Sequence, residues 1–92
     1  MQQRKNESRL LAIDGNYAVV QVGGRNFPAA AIQGDSLKIL QETLQELADS
    51  LDSGDIEEAR FPLREAKETV DELLDLYEKT SRQLGFKLPY GT

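Results

Sequence analysis

Gly24-Arg25-Asn26-Phe27-Pro28-Ala29-Ala30-Ala31-Ile32-Gln33-Gly34-Asp35-Ser36-Leu37 compresses a turn, a strand of small side chains and the opening of a helix into fourteen consecutive positions. A strand that runs into a helix with only Gly34-Asp35-Ser36 between them constrains the architecture to neighbouring β and α layers. The residues upstream supply the rest of the β layer. Leu10–Ile13 and Tyr17–Val22 are β-prone runs separated by Asp14-Gly15-Asn16, residues that tolerate positive φ, so they predict a hairpin. Gly23-Gly24-Arg25-Asn26 makes the second turn and Phe27–Gln33 the third strand, with Pro28 placing its start at an edge or a bulge. A three-stranded antiparallel meander over residues 9–33 follows. The two-residue period puts Ala18, Val20 and Val22 on one face and Tyr17, Val19 and Gln21 on the other, one of which meets the helices. The bare Ala29-Ala30-Ala31 run lets a helix approach that backbone closely.

Beyond residue 34 the period changes. Leu37, Leu40, Leu44, Leu47 and Leu51 recur at alternating spacings of three and four, predicting a helix over 35–53 that hides this leucine seam against a neighbouring helix. Asp35 or Ser36 is the expected N-cap, and Gly54 closes the helix. Asp55-Ile56-Glu57-Glu58 resembles a capping box and opens a second helix over 55–84. Its apolar positions are Ile56, Ala59, Leu63, Ala66, Val70, Leu73 and Tyr77. Pro62 predicts a break or kink near Arg60-Phe61. Gly85 ends the helix, and the tail over 85–92 carries Phe86, Leu88 and Tyr90, which can pack back on the core. The expected fold class is α+β: a three-stranded antiparallel meander followed by an antiparallel two-helix hairpin, in one domain of residues 1–92. Its apolar surface is more than so short a chain covers comfortably, which favours a homodimer.

The formal net charge of -5 is unevenly distributed. Residues 1–33 carry four basic and two acidic side chains, whereas residues 34–80 carry five basic and fourteen acidic ones. An acidic half repels phosphate backbones, so direct nucleic-acid binding is not expected, and a basic protein is the natural complement. No apolar run reaches the ~20 residues of a membrane span, and the first residues lead into no signal-type apolar core. The expected location is the cytoplasm, where the Asn6-Glu7-Ser8 sequon has no meaning.

The chain has no His and no Cys, which removes most catalytic and metal-binding chemistry. Gly34-Asp35-Ser36-Leu37 spells the signature of the GDSL esterases, but no base is present to take the serine proton. Glu65, Glu68, Asp71, Glu72, Asp75 and Glu78 recur at helical spacing without the His that helical di-metal sites use, so they read as a solvated face. Gly23-Gly24-Arg25 precedes a strand and offers no helix N-terminus to a phosphate. No catalytic residue, cofactor site or metal site is expected. Arg25, Glu68, Asp71, Glu72 and Asp75 are the candidates for contact with a partner.

The Val20–Pro28 segment, its continuation through Ile32-Gln33-Gly34-Asp35-Ser36-Leu37 and the ending Leu88-Pro89-Tyr90 resemble a family of short uncharacterised bacterial proteins. More loosely, residues 10–51 are similar to the small domain of the HicB-type antitoxins, in which a hairpin, a Pro-containing third strand and a Gln-Gly-Asp-Ser/Thr-Leu helix opening follow one another. That similarity implies a domain that covers a partner toxin. It ends where the second long helix stands in place of a returning strand, and no DNA-binding segment of the HicB kind is expected within these 92 residues. Together these features predict a non-enzymatic cytoplasmic protein-binding module of the antitoxin or immunity kind, with a homodimeric assembly module as the alternative.

Overall fold

The computed structural model describes residues 7–91. Three strands, β1 (Arg9–Asp14), β2 (Tyr17–Gln21) and β3 (Ala29–Ile32), precede two helices, α1 (Gly34–Asp52) and α2 (Ile56–Gln83). The strands form one antiparallel sheet in the order β1-β2-β3. The α+β meander and helical hairpin are as the residue pattern predicts. The chain sorts into two compact units: the sheet together with the residues from Leu73 onward, and Gln33–Glu72. Among the described residues, no helix is long and apolar enough to cross a membrane.

Turn chemistry fixes the sheet. Gly15 takes φ +59 between paired Asp14 and Tyr17 while Asn16 keeps negative φ, the arrangement of a two-residue hairpin with glycine first. At the second turn the Arg25 N-H donates to the Val22 carbonyl at 3.1 Å, and Gly24 sits at φ +80 as the third turn residue. The β1–β2 register shifts between Leu10 and Ala12, so Leu11 is an extra residue that bulges the edge strand. Sequence periodicity alone did not predict this bulge.

Val19, opposite Ala12 and Ala30, is fully buried, so the face it shares with Ala12 is covered. Leu10 and Ile13, on the other face of β1, stay in solvent. In the same unit the end of α2 presents a stripe of Leu73, Leu76, Tyr77, Thr80 and Ser81, half-buried or buried at helical spacing. The Tyr77 hydroxyl donates to the Pro28 carbonyl at 2.9 Å and ties this stripe to the entrance of β3. A Schellman turn ends α2: the Phe86 N-H donates to the Ser81 carbonyl, the Gly85 N-H to the Arg82 carbonyl, and Gly85 adopts φ +79. Phe86 and Leu88 beyond it are half-buried.

In the second unit only residues 53–55 separate the helices. Asp55 serves both. Its N-H donates to the Ser50 carbonyl in the Schellman turn that closes α1 through Gly54. Its side chain then accepts the Glu58 N-H at 3.1 Å, and its carbonyl the Ala59 N-H, opening α2. The least exposed residues of α1 are Ser36, Leu40, Thr43, Leu47 and Ser50, and those of this half of α2 are Ala59, Pro62, Ala66 and Thr69. Both sets step by three and four, and they are the seam of the hairpin.

Three expectations are revised. The seam is displaced one position from the leucine ladder: Leu40 and Leu47 belong to it, whereas Leu37, Leu44 and Leu51 lie on its flank, about half exposed. Small residues, Ser36, Thr43 and Ser50, occupy every second position of the seam on α1, and Leu37, Leu44 and Leu51 beside them stay about half exposed. Helix α1 begins at Gly34 with Gln33 as N-cap and no side-chain cap, since Asp35 accepts the N-H of its neighbour Ser36 instead. Helix α2 is continuous through Pro62, so the chain does not break there. Proline removes a single intrahelical bond, that to the Glu58 carbonyl, and Glu58 is exposed where water can replace it.

Candidate functional site

Arg25 is exposed at the turn that Gln21 braces, the Gln21 side-chain amide donating to the Arg25 carbonyl at 2.7 Å. It lines an open cleft of about 450 Å³ with Val22, Asn26, Phe27, Pro28 and Ala29. The cleft belongs to the sheet unit and combines one cation with an apolar wall. Gln21 Oε1 is buried without a hydrogen-bond partner, as is Ser81 Oγ.

The acidic candidates lie on α2. Glu68, Asp71 and Glu72 fall in the helical unit, and Asp75 falls with Arg25 in the sheet unit. Asp71 is engaged by Lys67 across one helical turn at 2.6 Å, and that hydrogen bond and charge hold the Lys67 ammonium above its ordinary pKa. Both side chains are exposed, so the pair contributes little to stability. Glu68, Asp71, Glu72 and Asp75 all face solvent. Near the helix end the Tyr90 hydroxyl donates to Glu78 at 2.7 Å; loss of solvent around the phenol, followed by this bond, pushes its pKa up to about 12. Among the described residues, no group of three or more His, Cys, Asp or Glu side chains is placed to hold a metal ion.

The surface that residue-by-residue reading missed is the flank of the hairpin. Leu37, Leu44 and Leu51 on α1 and Ile56, Leu63 and Val70 on α2 are each between 47% and 56% exposed. Each set repeats every seven residues and sits one position past its seam. In an antiparallel pair, reversing both the chain direction and the facing direction cancels, so positions displaced in the same sense lie on the same side. The six side chains therefore form one apolar face. The opposite flank carries Glu46 on α1 and Glu58, Glu65 and Glu72 on α2, with Ile39 and Phe61 as apolar side chains among them. The seven-residue recurrence was visible in the sequence; that it faces outward depends on the small residues beside it.

The chain belongs to a family of unknown function, DUF6959, whose family model matches residues 3–90. No curated protein and no solved structure matches it.

Proposed function

We propose that this member of DUF6959 is a non-enzymatic protein-binding module that works through its helical hairpin. The exposed apolar face of Leu37, Leu44, Leu51, Ile56, Leu63 and Val70 carries the proposal. Contiguous apolar surface of this kind marks protein contact, and recognition by it needs neither nucleophile nor base. The absence of His and Cys from the sequence is consistent with that reading.

A finer reading, an antitoxin- or immunity-like shield for a basic surface, draws support from the acidic flank of Glu58, Glu65 and Glu72 and from the likeness of residues 10–51 to HicB-type domains. The two are separable by capture of protein ligands on immobilised full-length chain. Retention through the apolar face falls about tenfold or more in Leu63→Asp and is insensitive to salt. Retention through the acidic flank falls in Glu65→Lys and with rising salt. A chain that retains no protein, its own copies included, overturns the proposal.

A further inference from the structure

The apolar face of the hairpin has a shape and charge that select its occupant, and this inference rests on the protein-binding reading above. Its two stripes are matched in length and spacing: three aliphatic residues on α1, three on α2, all seven apart. A patch built this evenly is its own complement under a two-fold rotation, which a patch shaped for an unrelated partner has no reason to be.

Charge points the same way. The positions next outward on α1, Gln41 and Ala48, are uncharged. Those next outward on α2, Arg60 and Lys67, are each already paired within the helix, Arg60 with Glu57 at 3.4 Å and Lys67 with Asp71 at 2.6 Å. The face thus presents no net charge in a chain of formal charge -5, so a second copy meets no repulsion there. On the opposite flank Glu46, Glu58 and Glu65 would oppose their own counterparts.

Size agrees as well. The six half-exposed side chains leave on the order of 500 Å² of apolar surface in water, near the upper range for a monomer's largest patch. Doubled across a two-fold axis and extended by the flanking polar atoms, this reaches roughly the 1,200 Å² at which specific interfaces begin.

We propose that the Leu37–Leu44–Leu51 and Ile56–Leu63–Val70 face binds the same face of a second copy, giving a closed four-helix homodimer. The interface is used up by one partner and the acidic flank is left outward, so assembly stops at two.

Sedimentation of the full-length chain tests this. The expected mass is twice 10.3 kDa, falling to a monomer in Leu44→Asp and in Leu63→Asp with helical circular dichroism retained, while Ile39→Asp on the acidic flank remains dimeric. A parent chain that stays monomeric to about 100 μM, or folded Leu44→Asp and Leu63→Asp chains that stay dimeric, overturns the proposal. Should either aspartate variant unfold, single-cysteine chains decide, because the sequence has no other cysteine. Leu44→Cys should be joined into covalent dimers by a short bis-maleimide, and equal joining of Ile39→Cys would overturn the assignment. A monomeric parent removes only the second copy as occupant; the protein-binding reading fails separately, if no other protein is retained either.

Discussion

In the unit that holds the sheet, the closed interior is made of Val19, Pro28, Tyr77, Thr80 and Ser81; in the helical pair it is made of Thr43, Ala59, Pro62 and Ala66. The first buries one large ring, that of Tyr77, and joins its two layers by a hydrogen bond from the Tyr77 hydroxyl to the Pro28 carbonyl. The second buries Thr43, Ala59, Pro62 and Ala66 and leaves Leu37, Leu44 and Leu51 about half exposed. A long, well-patterned amphipathic helix is therefore no guide to where its chain keeps its own core. Burial of Val19 contributes stability within one polypeptide, roughly 1.5–3 kcal/mol for such a side chain, whereas the aliphatic flank of the hairpin can contribute only when something covers it.

The contrast can be broken most forcefully at Tyr77. Tyr77→Ala removes a buried ring and its hydrogen bond, and should cost about 3–5 kcal/mol in thermal denaturation, by an amount independent of protein concentration. If it costs no more than Leu44→Ala, the two units do not differ as described.

A smaller loss is expected at the hairpin seam. Ala66 is buried, so Ala66→Leu should destabilise by about 1–3 kcal/mol in urea through overpacking, although it adds apolar surface to an apolar stripe. A stabilised Ala66→Leu chain would show that the seam has room.

The smallest effect is alkaline. The Tyr90 phenol has its folded pKa raised from 10.0 to about 12, so its contribution is complete below pH 10 and is lost as pH rises through about 12. Tyr90→Phe should remove one late-ionising group from the ultraviolet titration of the parent, with little difference in stability at neutral pH because Tyr90 is 42% exposed.

Much of the fold was legible because local chemistry agreed with it. Gly15, Gly24, Gly54 and Gly85 all mark chain reversals or helix ends and all adopt positive φ. Two features were not legible for a shared reason: they depend on what lies opposite. The Leu11 bulge leaves no period-two signature when Leu10, Leu11, Ala12 and Ile13 are all apolar. The seam of α1 fell on Ser36, Thr43 and Ser50 because the facing helix presents Ala59, Pro62 and Ala66, and polarity alone does not reveal that complementarity. Of the partner candidates, Arg25 was placed beside a cleft, while the α2 carboxylates took ordinary exposed positions along the helix.

Asp55 ends one helix and starts the next, and that economy reaches well beyond the turn. A link with no slack indexes α2 against α1, aligning Leu51 with Ile56, Leu44 with Leu63 and Leu37 with Val70. One residue added there would swing α2 by about 100° about its own axis, and both helices could survive intact while the aliphatic sheet of side chains came apart. A three-residue joint is the template for an aliphatic surface built on two helices.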